Sequence, residues 1–468
     1  NTACKFSFFL LVMYTFHPSF ENLSADANPI PLEPPVIKTV FIFLIIVLNF
    51  PSVTVEYLME NFQKYLFLLT KNRDFLKLFS ARLITLGGDW LLTVPLLGII
   101  YELTENPLIT SLVLVVQSAP LFLLGSFGGY LADKFNRRKI IAISEFISGL
   151  VVILILFAVR TENVAFILFS FSLLSVVNSA YMPTSDAALP NVVSRENLAE
   201  ANVLFFSSWG IMAGIGAGIG GYLTTVFSRE TLFTIDFFTF IFSALLVFLI
   251  KKDLSEKVES TEKEKTIKFI DGINFVKSKK EIFALVLTKS TFSISASGML
   301  ALFTILSYDI YKTGDYGTGL MFGARGIGAL IGPILIRYFF GKTDGKLLLT
   351  IGPSIMCWGL FYFFIPWSIS LYLTVFLLVI AHCGGGAQWA FSTYGLQILT
   401  PDNLRGRIAG IDYSLVFLMN TISTLLIGYL ASIYGALAMF KFFPVFGFIF
   451  GISWYLLTKH IWKSLDIK

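Results

Sequence analysis

The chain contains twelve apolar stretches, each long enough to cross a lipid bilayer as an α-helix. A spanning helix needs about 20 mainly apolar residues. Stretches of this kind lie near residues 75–100, 108–131, 140–159, 163–182, 203–227, 231–250, 282–308, 317–340, 347–365, 369–390, 408–433 and 436–458. Because lipid offers the backbone no hydrogen-bond partner, such segments must be helical. The sequence therefore predicts an all-α integral membrane protein with twelve transmembrane helices.

The overall composition excludes several other classes of protein. Hydrophobic residues make up 56% of the chain and charged residues only 14%, whereas a soluble protein has about 25% charged residues. This is too little charge for a disordered chain, a cytosolic enzyme or a basic nucleic-acid binder. The three histidines and three cysteines are scattered, so we expect neither a metal site nor a disulfide framework.

A charged segment at residues 251–280 separates two groups of six predicted helices. Fifteen of its thirty residues are charged, nine of them lysines. The sequence thus predicts an N-terminal six-helix bundle at residues 59–250, a charged cytoplasmic linker, and a C-terminal six-helix bundle at residues 281–468. Within the linker, residues 267–282 have apolar side chains at roughly helical spacing, which indicates either an amphipathic surface helix or a plain solvated linker.

Lysines and arginines in the short loops predict the orientation in the membrane. One side carries nine of them, namely Lys134, Arg137, Arg138, Lys139, Arg195, Lys342, Lys346, Arg405 and Arg407. The other side carries Arg160, Arg229 and Lys312. We therefore expect a multi-pass protein of the plasma or inner membrane, with both ends of the twelve-helix unit in the cytoplasm. Residues 1–58 are predicted to be an extension outside the functional unit.

The loop after the second predicted helix carries a recognisable motif. It reads Gly-Tyr-Leu-Ala-Asp-Lys-Phe-Asn-Arg-Arg-Lys from Gly129 to Lys139. It resembles the signature loop of the major facilitator superfamily, with Asn136 at the position of the second glycine. We expect this departure to be mild, because asparagine tolerates a left-handed backbone.

The charges of this loop predict a cytoplasmic gate made of Gly129, Asp133, Arg137 and Arg138. The glycine allows close helix approach, and the acid is placed to meet the N-terminus of a helix, whose partial positive charge attracts anions. The two arginines can pair with carboxylates of neighbouring helices. Alternatively, the basic residues only set the topology.

Two further segments resemble the branch that contains enterobactin exporters and macrolide efflux proteins. They are Leu189-Pro190 with the residues that follow, and Arg405-Gly406-Arg407. The fifth predicted helix has Ala217 where drug antiporters of this superfamily have a proline. Its glycines Gly216, Gly220 and Gly221 are predicted to allow close helix packing. The resemblance implies two bundles that rock about a midplane site.

Ionisable side chains inside the predicted helices are functional candidates, because an unpaired charge in the bilayer is unfavourable. Asp89 lies about 20 Å along the first helix, at 1.5 Å per residue. It is either a carboxylate for protons or a cationic substrate, or a structural acid. The remaining cavity candidates are Lys289, Arg325, His382, Gln388 and Trp389. For Lys289 and Arg325 we favour side chains that reach the membrane surface, and for His382 a packed or hydrogen-bonded ring.

These observations predict a secondary active transporter that exports a lipophilic or amphiphilic small molecule, such as a drug, a macrolide or a siderophore. The proton gradient supplies the energy in this prediction, and we expect no cofactor and no enzyme activity. The expected partners are a small-molecule substrate and the lipid bilayer, without nucleic acid, and the protein is expected to be monomeric. The alternatives are uptake or lysophospholipid transport by the same fold, and a membrane sensor that does not transport.

Overall fold

The computed structural model describes residues 64–255, 269–340 and 343–465. In these ranges twelve helices are long and apolar enough to cross a membrane, which confirms the predicted number. They are α1 Arg73–Thr104, α2 Pro107–Lys134, α3 Arg137–Arg160, α4 Val164–Val192, α5 Leu198–Leu223, α6 Arg229–Phe248, α7 Lys280–Ile310, α8 Gly314–Phe340, α9 Asp344–Trp367, α10 Leu371–Leu399, α11 Asp402–Tyr434 and α12 Ala436–Leu465. The predicted extension at residues 1–58 lies outside the described residues.

Asparagine and hydroxyl side chains cap several helix ends, because the first backbone N–H groups of a helix have no partner within it. Asn136 is such an N-cap, and its side chain accepts a hydrogen bond from the Lys139 N–H at 3.1 Å. Its φ of −64° is not left-handed. The expected reason for tolerating asparagine in place of glycine is therefore wrong, since Asn136 instead begins α3.

The surface of the helical unit is apolar and aromatic, whereas polar side chains lie inside. Large aromatic rings face outward on several helices, among them Phe157, Phe169, Phe238, Phe242 and Phe376. On α3 and α6 the buried positions include Glu145, Asp236 and Ser243. An aromatic exterior suits contact with lipid, where polar groups find no hydrogen-bond partner. The same need drives the polar groups towards the interior.

The helices form two six-helix bundles, α1–α6 and α7–α12. The bundles touch along two main seams, α5 against α8 and α2 against α11. We call the side that carries residues 249–280 the linker face, and the other side the opposite face. A ten-residue linker helix, Phe269–Ser278, packs on α7 and α11. A helix therefore forms within the segment at residues 267–282 for which an amphipathic helix was predicted.

Helix α7 is irregular where it passes α11. Its α-helical part ends at Ala296, and a 3₁₀ segment follows at Ser297–Leu300. The Gly298 N–H there donates to the Ser423 hydroxyl of α11 at 3.1 Å. The neighbouring helix thus supplies a polar partner at the break, as membrane helices require.

Candidate functional site

Glycines bring α5 and α8 into backbone contact at the first seam. A Cβ on Gly221 would lie 2.6 Å from the Cα of Gly319, and a Cβ on Gly214 would collide with Gly326. On the other side of α5, Gly216 and Gly220 lie against α1. The packing role predicted for Gly216, Gly220 and Gly221 agrees with this geometry. Small residues permit such close approach of membrane helices.

The second seam, between α2 and α11, is closed only in its half nearer the opposite face. There Gly428 lies directly against Ser111, and the hydroxyls of Ser118 and Thr421 are 3.2 Å apart. Nearer the linker face, a Cβ on any of four glycines of this seam would meet no other atom within 4 Å, namely Gly125, Gly129, Gly406 and Gly410. The two bundles are therefore joined towards the opposite face and parted towards the linker face.

A polar cluster around Arg229 joins the bundles at the opposite face. The Arg229 guanidinium donates to Asp315 at 2.7 Å, to Glu102 at 2.8 Å and to the Tyr308 hydroxyl at 2.6 Å. Tyr308 in turn donates to Asp315 at 2.7 Å. Because Arg229 and Glu102 belong to the first bundle and the other two to the second, this cluster ties the two bundles together. We call these four residues the opposite-face lock.

The predicted gate residues lie at the linker face without forming a closed gate. Asp133 is exposed and makes neither a hydrogen bond nor an ion pair with any described residue. Arg137 donates to the Ala187 carbonyl at 2.9 Å and to the Asn191 side chain at 3.0 Å. Arg138 donates to the Lys252 carbonyl at 2.5 Å. The expected carboxylate partners of the two arginines are therefore wrong in this conformation, in which free carbonyls near helix ends supply the negative partial charge.

Asp89 lies near two other carboxyl groups inside the first bundle. It is half-buried on α1, its Oδ2 accepts from the Asn178 amide of α4 at 3.3 Å, and its Oδ1 has no described partner. Glu145 of α3 is 1% exposed and Asp236 of α6 is fully buried. The three side chains are close enough for their charges to interact, and none of them forms an ion pair with a described residue.

Hydroxyl groups hold the two deeper carboxyls. The Thr85 hydroxyl of α1 lies 2.6 Å from Glu145 Oε1 and 3.1 Å from the Ser243 hydroxyl of α6. Thr239 lies 3.0 Å from Asp236 Oδ1. A Cβ on Gly88 would collide with Asp236, so this acid packs directly on the α1 backbone. These contacts join α1, α3 and α6 through polar groups.

Polar side chains also line the contact between α1 and α4, which we call the polar seam. An ion pair lies at its end nearer the linker face. Arg82 is buried, and its Nη1 is 2.9 Å from Asp186 Oδ1. The Asp186 side chain is 38% exposed, so it reaches open space. Going inward along the two helices, Tyr181 and then Asn178 of α4 follow Asp186, opposite Thr85 and Asp89 of α1. The seam thus runs from an accessible carboxyl to the Asp89 cluster.

Lys289 does not reach the membrane surface, so that expectation is wrong. It forms a buried ion pair with Asp412 of α11, in which the two side chains are 1% and 3% exposed. Its ammonium group lies 5.3 Å from the ring centre of Trp389 and 5.6 Å from that of Tyr413. Lys289 is buried because α11 supplies a counter-charge and two aromatic rings stabilise the cation.

The other predicted cavity residues belong to a packed region of the second bundle. His382 is buried, and its Nε2 is 2.8 Å from the Tyr362 hydroxyl. Arg325 of α8 is half-buried and close enough to act electrostatically on both side chains. Gln388 is fully buried, and neither of its amide atoms has a described partner. Trp389 lies instead beside the Lys289 ammonium group.

Several residues of these clusters were not singled out from the sequence. They are Arg82, Glu145, Asp186, Asp236 and Asp412 near the middle of the fold, and Glu102, Tyr308 and Asp315 in the lock. Most of the first group are ionisable residues inside predicted spans, so the rule that selected Asp89 selects them too. The lock residues lie at helix ends, where charges are common and carry no such signal.

Comparisons with known proteins agree with this architecture. Residues 78–424 match the Major Facilitator Superfamily. The MFS-type transporter YkuC of Bacillus subtilis (strain 168) is 25% identical over 362 residues, which cover 73% of this chain and 82% of YkuC. Macrolide efflux protein A of Streptococcus pyogenes is 21% identical over 290 residues, 61% of this chain and 71% of that protein.

A solved structure extends the comparison to the fold. The crystal structure of a bacterial homologue of the human lysosomal transporter Spinster, in its inward-facing and unoccupied conformation, matches with a TM-score of 0.64 at 14% identity. The match covers 84% of this chain and 98% of that one. Together with the sequence match, the twelve helices in two bundles show that this chain belongs to the Major Facilitator Superfamily, whose members are transporters and not enzymes.

Proposed function

We propose that this protein is a proton-driven exporter of a lipophilic or amphiphilic small molecule. The similarity to macrolide efflux protein A supports export. The sequence contains Gly341-Lys342-Thr343, but Ile336 stands where a phosphate-binding loop needs its first glycine. A proton gradient is therefore the proposed energy source, without a cofactor. We place the protein in the plasma or inner membrane with the linker face in the cytoplasm, because the linker face carries most of the loop lysines and arginines.

The observation that carries this proposal is the Asp89 carboxyl, whose Oδ1 has no hydrogen-bond partner among the described residues. Asp89 is half-buried, and one of its oxygens finds no hydrogen-bond donor among the described residues. An isolated carboxylate is unfavourable in an apolar interior, and a proton removes its charge. Because Asp89 is only half-buried, it can also release the proton again. In our mechanism Asp89 takes up a proton from the opposite face and releases it at the linker face.

The proposed conformational change is a rocking of residues 75–250 against residues 282–458. In the described conformation the opposite-face lock is formed and the linker-face half of the α2–α11 seam is parted. In the alternative conformation the lock breaks and the seam closes. The contacts of Ser111 and Ser118 with Gly428 and Thr421 define an antiparallel register. Extending it by fifteen residues brings Asp133 opposite Gly406 of α11, which supports the gate role proposed for Asp133.

The export proposal is tested in inverted membrane vesicles. A proton gradient is imposed, and the movement of a radiolabelled macrolide or a lipophilic cationic dye is followed together with the internal pH. We expect the wild type to accumulate the probe and dissipate the gradient. Asp89→Asn abolishes the coupling, because the amide takes up no proton. The matched control is Asp253→Asn, an exposed acid of the linker whose Asx turn an asparagine preserves.

The outcome also separates the alternatives. If Asp89→Asn transports at the wild-type rate with the wild-type pH dependence, the proton role of Asp89 is wrong. Probe movement in the opposite direction, or transfer of a lysophospholipid in place of the drug-like probes, would assign the fold to uptake or lipid transport. A protein that moves none of these compounds, yet changes cell growth on deletion, would fit a sensor.

A further inference from the structure

Two acids next to Asp89, Glu145 and Asp236, are buried, and each has one carboxyl oxygen without a described hydrogen-bond partner. The Thr85 hydroxyl has one hydrogen and lies within bonding distance of both Glu145 Oε1, at 2.6 Å, and the Ala81 carbonyl, at 2.9 Å. Thr239 likewise faces Asp236 Oδ1 at 3.0 Å and the Asp236 carbonyl at 2.8 Å. Near Thr85, the Ser243 hydroxyl lies 3.3 Å from the Ala81 carbonyl and brings a second hydrogen. The single hydrogen of Thr239 has two acceptors within reach.

A proton on each acid adds a donor to these contacts and removes a buried charge that forms no ion pair with a described residue. Protonated Glu145 donates to Thr85, whose own hydrogen then goes to the Ala81 carbonyl. Protonated Asp236 donates to Thr239 in the same way. The remaining oxygens, Glu145 Oε2 and Asp236 Oδ2, have no described donor, as expected of a neutral acid and unfavourable for a carboxylate.

The surroundings of the two acids favour protons over a metal ion. Among the described residues no three acids, histidines or cysteines are arranged to hold a metal. The charged and titratable groups around Glu145 and Asp236 are Asp89 and Arg82 on α1 and Tyr181 on α4. Arg82 is already paired with Asp186. Three neighbouring acids that share no base of their own lose and gain protons as a group.

A second buried group indicates where such protons can go. The Tyr181 hydroxyl is 1% exposed, has no described hydrogen-bond partner and lies close enough to interact with both Glu145 and Arg82. It stands between Glu145 and the Arg82–Asp186 pair, whose acid reaches open space. The seam of α1 and α4 thereby connects the buried acids with the linker face.

We propose that Glu145 and Asp236 form a second proton-binding site next to Asp89. In this proposal Glu145 passes its proton to the Tyr181 hydroxyl, which passes its own hydrogen on to the Asp186 carboxylate, while Arg82 keeps its charge. This inference rests on the proposed proton-driven function and extends it to two named acids. The site stores protons on two fully buried side chains, whereas Asp89 is half-buried. Each transport cycle then moves more protons than Asp89 alone would carry.

The first test needs no transport. Infrared spectra of the purified protein in lipid vesicles at neutral pH record the carbonyl stretch of protonated carboxyl groups. We expect Glu145→Gln and Asp236→Asn each to remove part of this band. The matched control, Glu162→Gln on an exposed loop, leaves it unchanged. A band that neither core variant alters would show that both acids are ionised, and the inference would be overturned.

The second test measures proton movement during transport. In Glu145→Gln, probe-coupled proton release at the linker face is expected to fall about 100-fold, at the lower end of the contribution of a positioned proton-transfer group. Exchange of labelled for unlabelled probe, which requires no net proton movement, is expected to keep the wild-type rate. Wild-type proton coupling that Glu145→Gln retains in full would refute the relay alone. Absence of coupling in the wild type would refute the proposed function instead.

Discussion

The buried Lys289–Asp412 pair allows a quantitative prediction. The ammonium group of Lys289 is the partner of Asp412 Oδ2, and Asp412 Oδ1 has no described partner. Lys289→Met keeps the length of the side chain but leaves an isolated carboxylate. Breaking a buried pair in this way destabilises a protein by about 3–5 kcal/mol. Asp412→Asn is expected to have an effect of similar size, because it leaves the buried ammonium without its anion.

The double variant is predicted to be more stable than either single variant. With both charges removed, only the buried amide of the new asparagine lacks partners, which costs about 1–3 kcal/mol. The sum of the two single effects would be about 6–10 kcal/mol. The large difference between this sum and the double variant is the coupling energy of the pair. Lowering the pH should also restore stability to Lys289→Met, because protonation removes the charge of Asp412.

The assay is reversible unfolding in mixed detergent micelles that contain increasing dodecyl sulfate, followed by tryptophan fluorescence. The control pair is Arg160–Glu230, an ion pair 2.9 Å apart whose side chains are 61% and 50% exposed. Its removal should hardly change the free energy of unfolding. If Lys289→Met or Asp412→Asn alone cannot be purified in a folded state, recovery of the folded double variant tests the same coupling. A double variant no more stable than Lys289→Met would refute the reasoning.

Two further predictions concern the exchange between conformations. A cysteine pair at positions 133 and 406, made by Asp133→Cys and Gly406→Cys, should form a disulfide on oxidation only when the linker-face seam closes. A control pair shifted by two residues, Asp133→Cys with Ile408→Cys, should form its disulfide more slowly. Equal rates for the two pairs would refute the register. Arg229→Gln removes hydrogen bonds of the opposite-face lock. The loss of one charged hydrogen bond, worth about 1.5 kcal/mol, should shift the equilibrium between the two conformations about tenfold towards the one in which the linker face is closed. The disulfide rate should rise accordingly, whereas Arg160→Gln should leave it unchanged.

The number and type of the helices could be predicted because they depend on local chemistry. Apolar stretches of sufficient length must be helical in lipid, and no long-range contact is needed to establish this. The ends of the helices were harder to predict from the sequence. Helix α4 continues to Val192, ten residues beyond the apolar stretch predicted to end near residue 182. Hydropathy alone does not include this extension, because its polar residues Thr184 and Ser185 are buried against other helices.

The candidate site was predicted only one residue at a time. Asp89 was selected as a charge inside a span, and the sequence offered no reason to join it to Glu145 or Asp236, which lie 56 and 147 positions away. The assignment of Lys289 to the surface failed for the same reason. Its burial depends on Asp412, which lies on another helix. Partners of this kind are determined by the rotation of each helix about its axis, and an apolar pattern all round the helix leaves that rotation open.

The sequence by itself therefore determines a membrane protein of twelve helices with a charged linker between two sets of six. It also selects the motif from Gly129 to Lys139, because these properties follow from composition, spacing and adjacent residues. Only the tertiary structure decides which acids meet, which arginine ties the bundles together, and which face of the protein is parted. Those outcomes arise from contacts between side chains far apart in the chain, where a small rotation or shift of one helix exchanges one partner for another.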